Sequence, residues 1–227
     1  MYTIAIDGPS SAGKSSVAKL IAEKLNILHL NTGALYRAVG LYAHQNGLAS
    51  KLDEKGIPVL SKKEISALIK NTHVTVQFLA GKQHTLLNGD DVTDLLYTPI
   101  ISDYSSRVSA IPEIRNHILE LQRDISRNNN VVMEGRDIAS HVIPDAKYKF
   151  FITASPEVRA ERRFNEMAEK GILCTYEEIL DDLRQRDVRD TTRKISPLII
   201  VPDAIVIDTS DIDLNTVVDK ILSYIKE

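Results

Sequence analysis

The chain has 227 residues, 43% of them hydrophobic, with 28 basic and 31 acidic side chains and a formal net charge of −3. That much apolar material can build a substantial core in one domain with insertions, or one domain plus a small satellite, so disorder is not the expectation. Near-balanced charge and a pI near 6.1 exclude a chain-wide basic field for a nucleic acid polymer, so any anion site must be local.

Cys174 is the one cysteine, which excludes an intramolecular disulfide and a multi-cysteine zinc site and fits a reducing compartment. Residues 1–6 run straight into an apolar strand pattern, without a basic leader or an apolar stretch near 18 residues. A cytoplasmic protein without a membrane partner is the expectation.

In chain order, Tyr2 to Ile6 read as a buried strand, and Val17, Leu20, Ile21 and Leu25 recur at helical spacing. Between them stands GPSSAGKS, Gly8 to Ser15, a full match to GxxxxGK[ST] in the strand–loop–helix context the motif requires. Small residues let backbone N–H groups of Gly8, Pro9, Ser10, Ser11, Ala12, Gly13, Lys14, Ser15 and Ser16, proline excepted, turn toward phosphate oxygens, and the helix start adds positive potential. Lys14 can reach the β and γ phosphates and Ser15 can ligate Mg²⁺. The alternative is a chance Gly/Ser-rich turn, but the complete pattern in context predicts a nucleoside triphosphate site. No NKxD guanine loop or LSGGQ-like transporter signature accompanies it.

A short apolar run, ILHL, leads to NTGALYRA, where Thr32, Tyr36 and Arg37 place a hydroxyl, a ring and a cation on neighbouring turns of a helix starting near Thr32. Thr32 could equally be an N-cap and Arg37 a surface residue. Between about 53 and 97, a helical segment (Lys62 to Asn71) precedes two β-rich runs joined by AGKQ, which predicts an inserted hairpin in a small lobe.

VVMEGRDIA, Val131 to Ala139, reads as a buried strand ending in Glu134, Gly135, Arg136 and Asp137. Ligands bind at the carboxyl ends of strands in open α/β sheets, and Glu134 stands where a carboxylate acting on Mg²⁺ through water is often found. The other reading is a strand-end turn with solvated charges. Tyr148 to Ile152 and Ala204 to Ile207 are further strands, and alternation with helices predicts a parallel sheet covered on both faces.

From Ser155 to about Pro202 the chain is charged and helical. In RQRDVRDTTR, Arg186, Arg189, Asp190 and Arg193 fall at i, i+3, i+4 and i+7, on one helical face. An alternating-charge surface helix would look the same. A phosphate loop in the same chain favours an arginine lid, because phosphoryl transfer needs cations that follow the moving charge.

Taken together, GPSSAGKSS, NTGALYRA, SSRVSAIPEIR, EGRDIA, SPEVRAERR and RQRDVRDTTR, in that order over nearly the whole chain, resemble the bacterial cytidylate (CMP/dCMP) kinases, a nucleoside monophosphate kinase family. The phosphate loop alone is common to many families; the set is specific. The resemblance implies an α/β P-loop NTPase fold: a five-stranded parallel sheet flanked by helices, an inserted β-containing acceptor-binding lobe and a helical lid. The expected division is a core of residues 1–52, 98–154 and 203–227, an insert of about 53–97 and a lid of about 155–202.

It implies ATP on Gly8 to Ser16, cytosine held by Ser106, Arg115 and Asp137, and acceptor phosphate and ribose held by Thr32, Tyr36, Arg37, Arg136, Arg186, Asp190 and Arg193. Lys14, Arg136, Arg186, Arg189 and Arg193 are the expected catalytic residues. Thr32 stands where relatives often have Ser, and Asn31 and Glu134 where many carry Asp. The implied reaction is in-line transfer of the γ-phosphoryl group of ATP·Mg²⁺ to CMP or dCMP in pyrimidine nucleotide metabolism. The expected partners are these small molecules alone, and the chain is expected to act as a monomer. The rival readings are a kinase of another small acceptor, such as UMP, AMP or a shikimate-like molecule, and a P-loop ATPase that switches a protein partner.

Overall fold

The computed structural model describes residues 2–53 and 58–225. Residues 54–57 of the expected insert, and residues 1, 226 and 227 of the expected core, lie outside the described residues.

The elements in chain order are β1 (Thr3–Asp7), α1 (Lys14–Leu25), β2 (Leu28–Asn31), α2 (Thr32–Gln45), α3 (Lys62–Asn71), β3 (Val74–Leu79), β4 (Lys82–Leu87) and β5 (Asp90–Asp91). A 3₁₀ turn at Thr93–Leu95 leads to α4 (Pro99–Val108), α5 (Pro112–Asn128) and β6 (Val131–Gly135). A π-helical turn at Ile138–Val142 precedes β7 (Tyr148–Thr153), α6 (Pro156–Glu169), α7 (Tyr176–Thr192), β8 (Ile205–Asp208) and α8 (Leu214–Tyr224).

The main sheet has five strands in the order β2-β6-β1-β7-β8, the parallel sheet expected of the fold class. Apolar runs such as Ile4 to Ile6 and Val131 to Met133 are fully buried, as strands covered on both faces must be. The register sets Ile6 opposite Glu134 and Asp7 opposite Gly135, so β1 and β6 deliver the phosphate loop and EGRD at one end of the sheet. Among the described residues no helix is long and apolar enough to cross a membrane.

The chain forms two compact units, residues 28–130, and residues 2–27 with 131–227. The core of the second unit gathers Ile4, Ile6, Val17, Ile21, Phe150, Ile207 and Val218 around its strands, and Ala160, Met167, Ile179 and Leu183 pack α6 on α7. In the first unit, α2 and α4 lie close because Gly40 has no side chain: a Cβ there would stand 2.8 Å from the Ser105 nitrogen. Leu35, Val39, Leu68, Ile114 and Ile118 fill its core.

Local signals account for most boundaries. Ser61 with Glu64, and Thr175 with Glu178, form capping boxes that open α3 and α7. Pro99, Pro112 and Pro156 occupy first-turn positions, where the missing N–H costs nothing. The strands β3 and β4 pair antiparallel through Ala80 and Gly81, both at positive φ (48° and 76°), so the hairpin turn is two residues and Lys82 and Gln83 of AGKQ belong to β4. The helix carrying RQRDVRDTTR ends at Thr192, and Arg193 is its C-cap with extended backbone (φ −61°, ψ 141°).

Gly8 leaves β1 at φ 148°, and a Cβ there would lie 1.9 Å from the carbonyl oxygen of Ile152 in β7. Gly8→Ala is therefore expected to lose at least about 3 kcal/mol, because neither backbone can yield. A thermal melt within a few degrees of the parent would contradict this.

Candidate active site

In the unit of residues 2–27 and 131–227, the loop from Gly8 to Gly13 joins β1 to α1. Ser11 (φ 60°) and Gly13 (φ 91°) adopt left-handed conformations, which fold successive N–H groups into an anion-binding concavity. Gly13 is the N-cap of α1 and bonds no side chain there, so the helix start is left to receive an anion.

Lys14 is 6% exposed, and its Nζ donates to the Pro9 carbonyl at 2.6 Å. Burial first, then the neighbouring Arg136 and Arg186, hold its pKa well below the ordinary 10.5, against the opposing pull of Glu134 and Asp7. Such an ammonium gains when a phosphate arrives to compensate it. The exposed Ser15 hydroxyl donates to Glu134 Oε2 at 2.7 Å. One hydroxyl and one carboxylate at the cradle's lip suit a divalent cation that keeps waters and shares phosphate oxygens, so this donor set fits Mg²⁺. Ser16 is exposed on the first turn of α1.

The EGRD and RQRDVRDTTR stretches meet in the same unit. Arg136 Nε donates to Asp190 Oδ2 at 2.9 Å, and Arg193 lies 3.9 Å from Asp190 Oδ1 and 3.5 Å from Asp137 Oδ1. The extended C-cap turns Arg193 back to donate to the Ser196 carbonyl at 2.7 Å. Burial works to raise the pKa of Asp190, but Arg136, Arg186 and Arg193 together outweigh it and hold the carboxyl below its ordinary 3.8. The result is a carboxylate within a group of guanidiniums that retains positive charge for an anionic ligand. Arg189 is half-buried on α7, and its carbonyl accepts the Arg193 N–H at 3.2 Å.

Of the residues expected for the acceptor, Thr32, Tyr36, Arg37, Ser106 and Arg115 lie in the unit of residues 28–130, and Arg136, Asp137, Arg186, Asp190 and Arg193 in the other. Asn31 caps α2, accepting the Ala34 N–H at 3.3 Å, and the buried Thr32 is the first helical residue, not the cap. Arg37 donates to the Leu96 carbonyl at 3.1 Å and to the Ser102 hydroxyl, with its guanidinium 5.4 Å from the Tyr97 ring centre. The buried Arg115 stands 5.4 Å from the Tyr36 ring centre and donates to the Ser109 carbonyl at 3.2 Å. Ser106 is buried on α4. Of the predicted residues in this unit, Arg115 and Tyr36 are brought against one another, whereas Arg37 is held by Leu96, Ser102 and Tyr97.

Several supporting residues escaped the sequence reading. Gln83 on β4 accepts the Asn31 N–H at 2.7 Å and donates to the Asn31 carbonyl at 3.3 Å, steadying the start of α2. Ser102 and Tyr97 hold Arg37. No short motif marks any of these, because each acts on a partner distant in sequence. Asp7 had a visible signal, a lone acid closing an apolar strand just before the phosphate loop.

Asp7 is 2% exposed and accepts the N–H groups of Ile138 at 2.9 Å and Ala139 at 2.8 Å, pinning the turn that follows EGRD. Burial raises its pKa from 3.8 to about 6, against the lowering by those two hydrogen bonds and Lys14. A raised carboxyl pKa contributes stability that is present below the unfolded value and lost as pH rises through the folded one. About two units amount to roughly 3 kcal/mol, lost between about pH 4 and pH 6. Asp7→Asn cannot titrate, and its amide can satisfy only one of the two N–H groups comfortably. The stability gap between parent and variant in denaturant melts is expected to narrow as pH rises from 4 to 7, and a constant gap would contradict the assignment.

The cytidylate kinase family model matches residues 4–227. The chain is 43% identical over 219 residues to a cytidylate kinase of Caldicellulosiruptor saccharolyticus, covering 96% of this chain and 93% of that one. It is 43% identical over 224 residues to a cytidylate kinase of Clostridium botulinum, covering 99% and 97%. Among solved structures, shikimate kinase from Bacteroides thetaiotaomicron aligns over 98% of this chain and 97% of that one, with a TM-score of 0.48 at 11% identity. Because the match runs from the first strand through the phosphate loop, the EGRD strand end and the arginine helix to the last residue, this chain belongs to the cytidylate kinase family.

Proposed function

We propose that the protein transfers the γ-phosphoryl group of ATP in line to the 5′-phosphate of CMP or dCMP, giving ADP and CDP or dCDP. One observation carries the reading beyond family membership: the phosphate loop with Lys14 shares a compact unit with the Arg136–Asp190–Arg193 cluster. A passive nucleotide binder needs the first and has no use for the second.

In this reading Gly8 to Ser16 seat the donor phosphates and Lys14 reaches the β and γ groups. Mg²⁺ bound with the nucleotide would neutralise charge between those phosphates, and Ser15, with Glu134 through water, would hold it. The acceptor phosphate monoester has a second pKa near 6, so its oxygen is largely ionised at neutral pH and no general base is required. Positioning and charge stabilisation supply the catalysis. Arg136, Arg186, Arg189 and Arg193 serve the transferred group.

Thr32, Tyr36 and Arg37, with Arg136, Arg186, Asp190 and Arg193, take the acceptor phosphate and ribose. Ser106, Arg115 and Asp137 read cytosine, whose amino group, ring nitrogen and carbonyl call for mixed acceptors and donors. Residues 53–97 act as part of the acceptor lobe and 155–202 as a lid. The enzyme works as a monomer in the cytoplasm, in pyrimidine nucleotide metabolism.

A coupled ADP-release assay with ATP and a panel of CMP, dCMP, UMP, AMP and shikimate tests the reading. The expected result is preference for CMP and dCMP, with little turnover when no acceptor is present. Clear preference for AMP or shikimate, or acceptor-independent turnover, would overturn it.

A further inference from the structure

Arg159 has no part in the site described so far. It lies on the first turn of α6, is 3% exposed, and spreads its guanidinium over three partners. Nε donates to the Ala154 carbonyl at 3.0 Å, which fixes the plane of the group against its own backbone. Nη1 donates to the Ser10 carbonyl at 3.3 Å, in the phosphate loop. Nη1 and Nη2 donate to the two carboxylate oxygens of Asp187, at 3.2 and 2.6 Å, on α7.

The Ser10 carbonyl and the Ser11 N–H belong to one planar peptide and point in opposite directions. Holding the carbonyl toward Arg159 turns the Ser11 N–H to the opposite side, as an anion-binding concavity requires. Ser11 itself sits at φ 60°, a conformation that a serine keeps only where its surroundings over-determine it. Asp187 follows Arg186 directly and precedes Asp190 by three residues on α7. One rigid, bidentate fork therefore touches both the peptide that shapes the phosphate cradle and the helix that carries the arginines.

A bridge serving stability alone would need only the contact between α6 and α7, and a buried ion pair is a weak source of stability in any case. The bond to the loop carbonyl is the additional feature. We propose that Arg159 is a positioning residue that couples the phosphate loop to α7 through Asp187, so that seating the donor phosphates sets the arginines of that helix. The choice of assay rests on the reading of this chain as a CMP kinase; the coupling itself does not.

The test uses the full chain as parent, Asp187→Asn, Arg159→Lys and the double variant. Hydrogen exchange over residues 176–192, with and without ADP and Mg²⁺, reads the coupling without any acceptor. ADP is expected to slow exchange there in the parent and to lose that effect in Asp187→Asn, whose ADP affinity stays within about twofold because the loop keeps Arg159. With ATP and CMP, kcat is expected to fall about tenfold or more in either single variant, with KM for ATP changing less in Asp187→Asn than in Arg159→Lys. The double variant should be no worse than the poorer single one, since both break one connection.

Protection of α7 by ADP that persists in Asp187→Asn, an absence of such protection in the parent, or kcat losses that add would each overturn the proposal. If one variant fails to fold, the other breaks the same connection and is judged by the same exchange measurement. A parent that does not phosphorylate CMP would defeat the functional reading, while the exchange result still decides the coupling.

Discussion

Lys14→Ala is expected to lower kcat by about 10³-fold or more while leaving the melting temperature of the nucleotide-free protein unchanged or raised. The two effects have one cause. Lys14 is a buried ammonium whose pKa burial, Arg136 and Arg186 hold well below 10.5. A lysine with a depressed folded pKa contributes most above the unfolded value, and that contribution is lost as pH falls through the folded one. Below the unfolded value the buried side chain is thus a cost to the free protein, which donor phosphates seated on Lys14 are expected to offset. ADP should accordingly raise the melting temperature of the parent more than that of the variant. Turnover retained within about tenfold, or a marked loss of stability, would show that Lys14 serves the fold instead of the phosphates.

Arg186→Ala is expected to cost about 10³-fold in kcat, with a much smaller change in KM for ATP. Arg186 lies in the electrostatic reach of both Lys14 and Asp190: it helps to lower the pKa of each. In the proposed reaction that guanidinium would stabilise the charge that builds as the phosphoryl group leaves the donor. Lysine is expected to restore little, because a compact ammonium does not reproduce the planar fork. Single-turnover kinetics separate the chemical step from product release; an unchanged chemical rate would remove Arg186 from the transition state.

The fold was legible where its signals are local. The phosphate motif, the buried strand before it, the helix after it and the helix Lys62–Asn71 each declare themselves within a few residues, through motif and apolar period. The hairpin was legible too, though its turn tightened to Ala80–Gly81 once strand pairing drew Lys82 and Gln83 into β4. Charged stretches were less decisive. An arginine-rich helix face looks alike in sequence whether it is solvated or packed, and the difference lies in what meets it, here Arg136 from the end of β6 donating to Asp190 on that face.

By itself the sequence determined a nucleotide-binding α/β chain whose phosphate cradle, arginine helix and EGRD strand end fall in one order, because each is written in contiguous residues. The tertiary structure alone decided which side chains support them. Asp7 reaches backbone N–H groups 131 and 132 residues away, Arg159 joins Ser10 at a separation of 149 to Asp187 at 28, and Arg37 finds Leu96 at 59. Such partners leave no periodic trace, since a buried polar group needs only one well-placed acceptor or donor, and packing, not neighbouring sequence, chooses which residue supplies it.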